Sequence, residues 1–438
     1  MRGKGKIWCS ILGILLTVIT VGIFTGCGTS SSVTIKMPSE VASTSEEETS
    51  KTDVDVYWDA TYSMQGYTTL SEGNFYRTMP DMLGDIGDSM GEVKFFRFGQ
   101  DIKPMEGREY RKFSDASAYD ETVTAFHNVI EQADPNHVSV VVTDLFESDS
   151  DWSNVTKKLK EKYFSKHLAV AVIGIKNPFK GEIFDVGLNA AKYEYNSGND
   201  PKKYRPFYLF IMGPENKVAD FMSRWKERQD SNNETEYLLL SENLTEQAKN
   251  DTKLSLEDEN TQNVYIDEKL GIKDRRIQEI GITDKGKDVQ IATDFDYKPL
   301  FGSCLLDMNA LKTSVDVMTL ENEEWQHYDN PDQDAKVSFK KKDGTDNSYE
   351  MIVKFNPENT LKSGEINFIH VSVAPEPKGY QIPDWIKQWN MANIDVSPDQ
   401  FDGSKTVNLL HIIESLKDSV FASAHPSLAN INLVVDLR

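Results

Sequence analysis

Cysteine is nearly absent from this chain: Cys9, Cys27 and Cys304 are its three cysteines in 438 residues. Two of them fall in the first 27 residues, so Cys304 has no disulfide partner in the folded part, and stability must come from apolar cores. Positive charge is short as well, with 48 Lys and Arg against 70 Asp and Glu and a formal net charge of −22. That balance argues against nucleic acid as a partner, because phosphate binding needs a basic surface and the counterion release it brings. An acidic ligand would need a cation between. Against these shortages, 39% hydrophobic and 10% aromatic residues support globular folding over most of the length. The chain is too long for one ordinary core and has room for two or three domains.

The N-terminal segment carries the clearest signal. Arg2, Lys4 and Lys6 form a basic head, an apolar run extends from Ile7 to Phe24, and Thr25-Gly26-Cys27 follows. This end resembles a bacterial lipoprotein signal peptide spanning 1–26, and the resemblance implies that Cys27 becomes the lipidated first residue, carrying a palmitate-like acyl anchor. Phe24 departs from the Leu usual at that position. The alternative is an uncleaved transmembrane helix, since the run approaches the roughly 20 residues that span a bilayer. Either reading places the bulk of the protein on the extracytoplasmic face of the cell membrane. Cleavage removes three cations and no acids, so −22 becomes −25. Residues 27–52, with Ser30-Ser31-Ser32 and Glu46-Glu47-Glu48, cannot bury enough apolar surface to offset their ordering entropy and read as a flexible spacer.

Beyond the spacer, short apolar runs alternate with helical periodicity. Strands are expected at Val54 to Trp58, Val93 to Phe98, Val138 to Val142, Leu168 to Ile175 and Phe207 to Met212. Helices are expected around Trp152, Val155, Leu159 and Tyr163, and around Val218, Phe221, Met222 and Trp225. Continuous Val and Ile runs separated by amphipathic helices predict an α/β fold with a doubly wound, mostly parallel sheet covered on both faces. Ligands of such sheets bind at the carboxyl ends of the strands.

The chemistry-bearing residues fall at those ends. Asp59-Ala60-Thr61-Tyr62-Ser63 directly follows the first strand, Thr143-Asp144 closes the strand that begins at Val138, and Thr124 opens a helical pattern between them. Short polar residues after a strand are also ordinary turn and helix-cap chemistry, so the order of the three elements matters more than any one of them. Together they resemble the von Willebrand factor A family, whose metal-dependent adhesion site reads Asp-x-Ser-x-Ser, then Thr, then Asp. The resemblance covers 53–229, and Met64 and Gly66 also fit it.

It implies that Thr61 and Ser63 supply hydroxyl ligands, that Asp59 and Asp144 act directly or through water, and that Thr124 fills a further position. Hard oxygen donors suit Mg²⁺ or Mn²⁺. An open coordination position would accept a carboxylate from a protein ligand, which is how so acidic a chain could hold an acidic partner. Three departures stand out. Thr61 replaces the commoner Ser but keeps the hydroxyl, Leu145 replaces the usual Gly, and Thr122 rivals Thr124. His127 reads as a helix-face residue rather than a ligand, and Glu147, Asp149 and Asp151 read as a solvated acidic loop.

The polar stretch 230–288 has weak periodicity around Leu238-Leu239-Leu240 and Val264-Tyr265-Ile266, and reads either as an extension of the first domain or as a partly ordered connection. From 289 to 438 the pattern becomes β-rich. Strands are expected at Val289 to Tyr297, Val315 to Leu320, Val337 to Lys341, Tyr349 to Phe355, Ile366 to Val373 and Ile431 to Leu437, with turn chemistry at Asp343-Gly344 and a late helix from Val407 to Val420. The run of strands suggests a sandwich. Trp385 and Trp389, four apart, are expected to pack against it rather than form an exposed anchor.

The function these features imply is a surface-tethered, non-catalytic adhesion or binding protein. Two other classes compete. A metal-assisted hydrolase could use the same carboxylates, although no motif segment offers a nucleophile paired with a base and His127 and His137 are the only imidazoles nearby in sequence. A solute-binding lipoprotein of a transporter would have two α/β lobes, whereas the second half here reads as β-rich.

Overall fold

The computed structural model describes residues 51–438 except 146–151, 187–190, 230–233, 245–260, 273, 275–276, 298–299, 303–304, 307–309, 330–334, 345–347, 393–400 and 424–425. The expected signal, Cys27, the spacer up to 50, Cys304 and the acidic loop of Glu147, Asp149 and Asp151 lie outside the described residues. Among the described residues no helix is long and apolar enough to cross a membrane.

The chain is mixed α/β, with a central seven-stranded sheet and a β-rich remainder. The sheet contains β1 (Val54–Asp59), β2 (Val93–Phe98), β3 (Ile102–Met105), β4 (Val138–Thr143), β5 (Ala169–Asn177), β8 (Arg205–Gly213) and β9 (Thr235–Leu240), in the order β3-β2-β1-β4-β8-β5-β9. Between β5 and β8 the strands β6 (Lys180–Val186) and β7 (Ala191–Asn196) form a separate antiparallel hairpin. Four of the seven sheet strands, β1, β2, β4 and β5, run in one direction, and β1 is parallel to both of its neighbours, β2 and β4. The remaining pairs are antiparallel.

The antiparallel half has a local cause. The sequence pattern predicts helical crossovers throughout, but the hairpin turns the chain back after β5. The chain then returns as β8 between β4 and β5, antiparallel to both, without a crossover helix between β5 and β8 among the described residues.

Helices cover both faces. Every residue of β1 and β4 is buried, with Val54, Val56, Trp58, Val138, Val140 and Val142 on one face and Tyr57 and Val141 on the other. This period of two explains why the runs look uniformly apolar: each face meets its own layer. On the first face lie α2 (Met79–Met90), through Leu83 and Ile86, and α5 (Glu215–Arg228), through Val218, Phe221, Met222 and Trp225. On the second lie α3 (Phe126–Gln132) and α4 (Trp152–Lys162), joined by α7 (Leu409–Ser423) from the far end of the chain.

The β-rich remainder has two larger sheets. One runs β10-β11-β18-β17-β13-β14, made of Val264–Ile266, Ile277–Ile282, Ala429–Asp436, Ile366–Pro375, Leu311–Glu321 and Glu324–His327 in that order. The other runs β12-β16-β15, made of Val289–Asp296, Ser348–Phe355 and Lys336–Lys341. Ile291 and Val353 from the smaller sheet and Ile369 and Leu433 from the larger share a continuous apolar core that also includes Val172 of β5 and Leu416 of α7. Strand β9 lies past Gln229, in the stretch left unassigned by sequence, and closes one edge of the central sheet.

Candidate functional site

The site is built where β1 and β4 end side by side. Their register pairs Trp58 with Val142, so Asp59 emerges beside Thr143 and Asp144 follows one residue later. The next turn is pinned by backbone bonds. Ala60 N donates to Phe98 O at 2.9 Å, Glu121 N to Ala60 O at 3.1 Å and Tyr62 N to Glu121 O at 3.1 Å. These bonds dock the segment that carries Thr124 onto the first motif and start α1 (Tyr62–Gln65). Beneath the turn, Trp58 Nε1 donates to Tyr76 Oη at 2.8 Å and Tyr119 Oη donates to Phe113 O at 2.8 Å, which fixes the aromatic floor.

Four of the expected residues share one hydrogen-bonded cluster. Asp59 Oδ1 accepts from Thr61 N at 3.0 Å and from Thr61 Oγ1 at 2.7 Å. Asp59 Oδ2 accepts from Thr143 Oγ1 at 3.0 Å and from Thr124 Oγ1 at 3.4 Å. The Thr61 and Ser63 hydroxyls lie 3.0 Å apart. Asp144 is the fifth: it is buried, and its charge raises the pKa of Asp59. The rivalry between Thr122 and Thr124 is decided by burial, since Thr124 is buried against Asp59 and Thr122 is exposed.

Burial pushes the Asp59 carboxyl up to about 7 and the neighbouring Asp144 pushes the same way, while hydrogen bonds from Thr61 and Thr143 pull it back. The donor set consists of oxygens alone. Two carboxylates and three hydroxyls at the end of a sheet fit a hard divalent ion such as Mg²⁺ or Mn²⁺ and offer nothing to a soft one. Among the described residues no group of three or more His, Cys, Asp or Glu side chains is placed to hold a metal, and a set of this kind contains only two such residues.

Two contributors escape sequence reading. Thr143, which the sequence marks only as the partner of Asp144 at the strand end and not among the expected ligands, donates its hydroxyl to Asp59 and accepts from Leu145 N at 3.2 Å. Arg205 begins β8, far along the chain, with no local signal. Its side chain is 3% exposed, Nη2 lies 3.9 Å from Asp144 Oδ2, and Nη1 donates to the carbonyls of Gly403 at 3.2 Å and Lys405 at 3.0 Å. Phe179 faces the guanidinium at 5.6 Å.

Leu145 has φ 58, the left-handed region that Gly occupies without strain, and its side chain is buried in the second-face core. Gly66 is required for close approach: a Cβ there would collide with the ring of Phe179. Beside the cluster a groove of about 270 Å³ is lined by Tyr62, Gln65, Gly66, Glu182, Phe184 and Lys192. Tyr62, the residue between Thr61 and Ser63 in the first motif, is 43% exposed on its rim.

His127 is partly exposed on α3, and His137 sits before β4, at the opposite end of the sheet, with Nδ1 2.8 Å from Asp55 Oδ2. Trp385 and Trp389 are buried, in α6 (Asp384–Trp389), and the layer they cover includes the central sheet at Gly174.

No protein-family model matches the chain, and no curated protein matches it in sequence.

Proposed function

We propose that this chain is a lipid-anchored protein on the extracytoplasmic face of a bacterial membrane that uses a divalent ion, Mg²⁺ or Mn²⁺, to grip a carboxylate on a protein ligand. The central unit is read as von Willebrand factor A-like and doubly wound, and the β-rich remainder as sandwich-like. The observation that carries this reading is the convergence of Asp59, Thr61, Ser63, Thr124 and Asp144 at the carboxyl ends of two adjacent parallel strands. Ends of parallel strands are where open α/β sheets place ligands.

The chain's own residues divide the work. Asp59 and Asp144 supply negative charge in a site from which water is nearly excluded, and the hydroxyls of Thr61, Ser63 and Thr124 supply neutral oxygen. Thr143 orients Asp59 through its 3.0 Å hydrogen bond. A bound ion would supply the charge that lets an acidic protein hold an acidic ligand. The groove along Tyr62 and Phe184, with Gln65, Glu182 and Lys192 beside them, gives the residues flanking that carboxylate a mixed polar and aromatic surface.

Calorimetric titration of Mg²⁺ and Mn²⁺ into the full chain, followed by capture from envelope extracts with and without EDTA, tests the proposal. Saturable metal binding and an EDTA-sensitive partner are expected. Absence of metal binding at millimolar concentration, or capture that ignores EDTA, would sink it.

A further inference from the structure

Arg205 adds a charge that the five-residue site does not account for. Asp59, Asp144 and Arg205 are each no more than 3% exposed, and with both carboxylates ionised, as a bound cation favours, they carry one net negative charge. A divalent ion at that place leaves one positive charge in excess, and a carboxylate from outside neutralises it. The Arg205 guanidinium is fixed, since Nη1 is held by the carbonyls of Gly403 and Lys405 and the ring of Phe179 lies against it. Its Nη2 is 3.9 Å from Asp144 Oδ2, close enough to act on that carboxylate's charge but too far for a hydrogen bond.

We infer that Arg205 sets the selectivity of the site: it weakens the divalent ion and strengthens the anionic ligand that completes it. This rests on the metal-site reading above. The physical reason is the sign of one charge in a poorly screened interior. A fixed cation repels the incoming ion and attracts the incoming carboxylate, so the two affinities are coupled in opposite directions. Asp144 shields the ion from part of that repulsion, which lets the metal bind at all.

The opposed signs separate this role from a structural one, because a damaged fold would weaken both ligands. Mn²⁺ is titrated into the full chain by calorimetry, and acetate is then added while water-proton relaxation reports displacement of metal-bound water. Arg205→Met is expected to bind Mn²⁺ about tenfold tighter than wild type and to lose acetate affinity by about the same factor, the size of a unit-charge change acting through a high effective dielectric. Arg205→Lys, which keeps the charge, is expected to stay within about threefold of wild type on both counts. If Arg205→Met melts cooperatively yet binds Mn²⁺ no tighter, the inference is overturned while the metal site stands. If that variant does not fold, Arg205→Gln, which removes the charge but keeps side-chain N–H donors, decides by the same two affinities: tighter Mn²⁺ with weaker acetate supports the role, and unchanged Mn²⁺ affinity overturns it. Failure of wild type to bind Mn²⁺ removes the metal-site reading and this inference together.

Discussion

The indole of Trp389 occupies the space above the α-carbon of Gly174: a Cβ built on that glycine would lie 2.7 Å from Trp389 Cζ3. Gly174 is in the middle of β5, and Trp389 ends α6, which lies between strands β17 and β18 of the larger β-rich sheet. Trp385 packs edge-on against Trp389 at 5.1 Å, and Lys176 Nζ lies 5.1 Å from the Trp389 ring. The contact therefore joins the central sheet to the C-terminal half. Trp389→Ala should cost about 3–5 kcal/mol, the usual range for emptying a buried aromatic site. Gly174→Val should also destabilise, because the rings of Trp389, Tyr208 and Trp385 leave it no room. The combination Gly174→Val with Trp389→Leu should cost less than the sum of the singles, measured by denaturant melts as a double-mutant cycle. Strict additivity would mean that the two positions do not share that space.

Leu145 balances backbone strain against burial. Its φ of 58 is disfavoured for a residue with a Cβ by about 1–2 kcal/mol, while its side chain is buried with Phe126 and Trp152 in one core. Leu145→Gly relieves the first and forfeits the second, a loss of about 2–5 kcal/mol for a buried Leu. A net drop in stability of roughly 1–3 kcal/mol is expected in urea. A more stable glycine variant would show that the backbone term dominates.

Much of this architecture is legible in the sequence, and the reason is burial on alternate faces. Strands such as Val138–Thr143 bury both faces, so they stand out as uninterrupted β-branched runs. The hairpin of β6 and β7 does not stand out, because Glu182, Lys192 and Glu194 alternate with its apolar residues and resemble a loop. Strand β11 (Ile277–Ile282) was hidden in the polar stretch, since its pairing with β18 comes from the far end of the chain. The site shows the same division. Asp59, Thr61 and Ser63 are two apart in sequence and visible as a motif. Arg205 reaches them only because β8 returns beside β4, and nothing in its neighbours announces that.

The lipid anchor is tested chemically. If Cys27 is the acylated residue, Cys27→Ala removes the thiol that carries the acyl chain, and metabolic labelling with a fatty acid should go blank. Label persisting on the variant would mean that the acyl chain is carried elsewhere and would refute the lipoprotein reading.

Metal binding should appear as thermal stabilisation, since a ligand that binds only the folded state raises the melting temperature by mass action. Asp59→Asn keeps the size of the side chain and removes its charge, and Mg²⁺ at millimolar concentration should then give no shift. Asp144→Ala should lose the shift too and be less stable without metal, because it leaves Arg205 buried without its carboxylate partner. An unchanged Mg²⁺ response in both variants would place the ion elsewhere.

The same carboxyl predicts a pH signature. Asp59 is fully buried and its pKa is raised from 3.8 to about 7 by burial first and by Asp144 second. The folded chain thus holds this proton more tightly than the unfolded chain does. That stabilising contribution is complete below about pH 4, is lost as pH rises toward 7, and changes no further above it. Three pKa units correspond to roughly 4 kcal/mol. Metal-free wild type should therefore lose stability between pH 4 and 7 relative to Asp59→Asn, whose side chain does not titrate. The comparison cancels the general effect of the chain's other acids, which both proteins share. Saturating Mg²⁺ should remove the difference in slope, because an ion beside the carboxylate favours its charged form and competes with the proton. Urea melts of the two proteins at pH 4, 5.5 and 7, with and without Mg²⁺, give all the quantities needed. Parallel pH profiles in the absence of metal would show that Asp59 is ionised across the whole range and that the hydrogen bonds from Thr61 and Thr143 outweigh its burial.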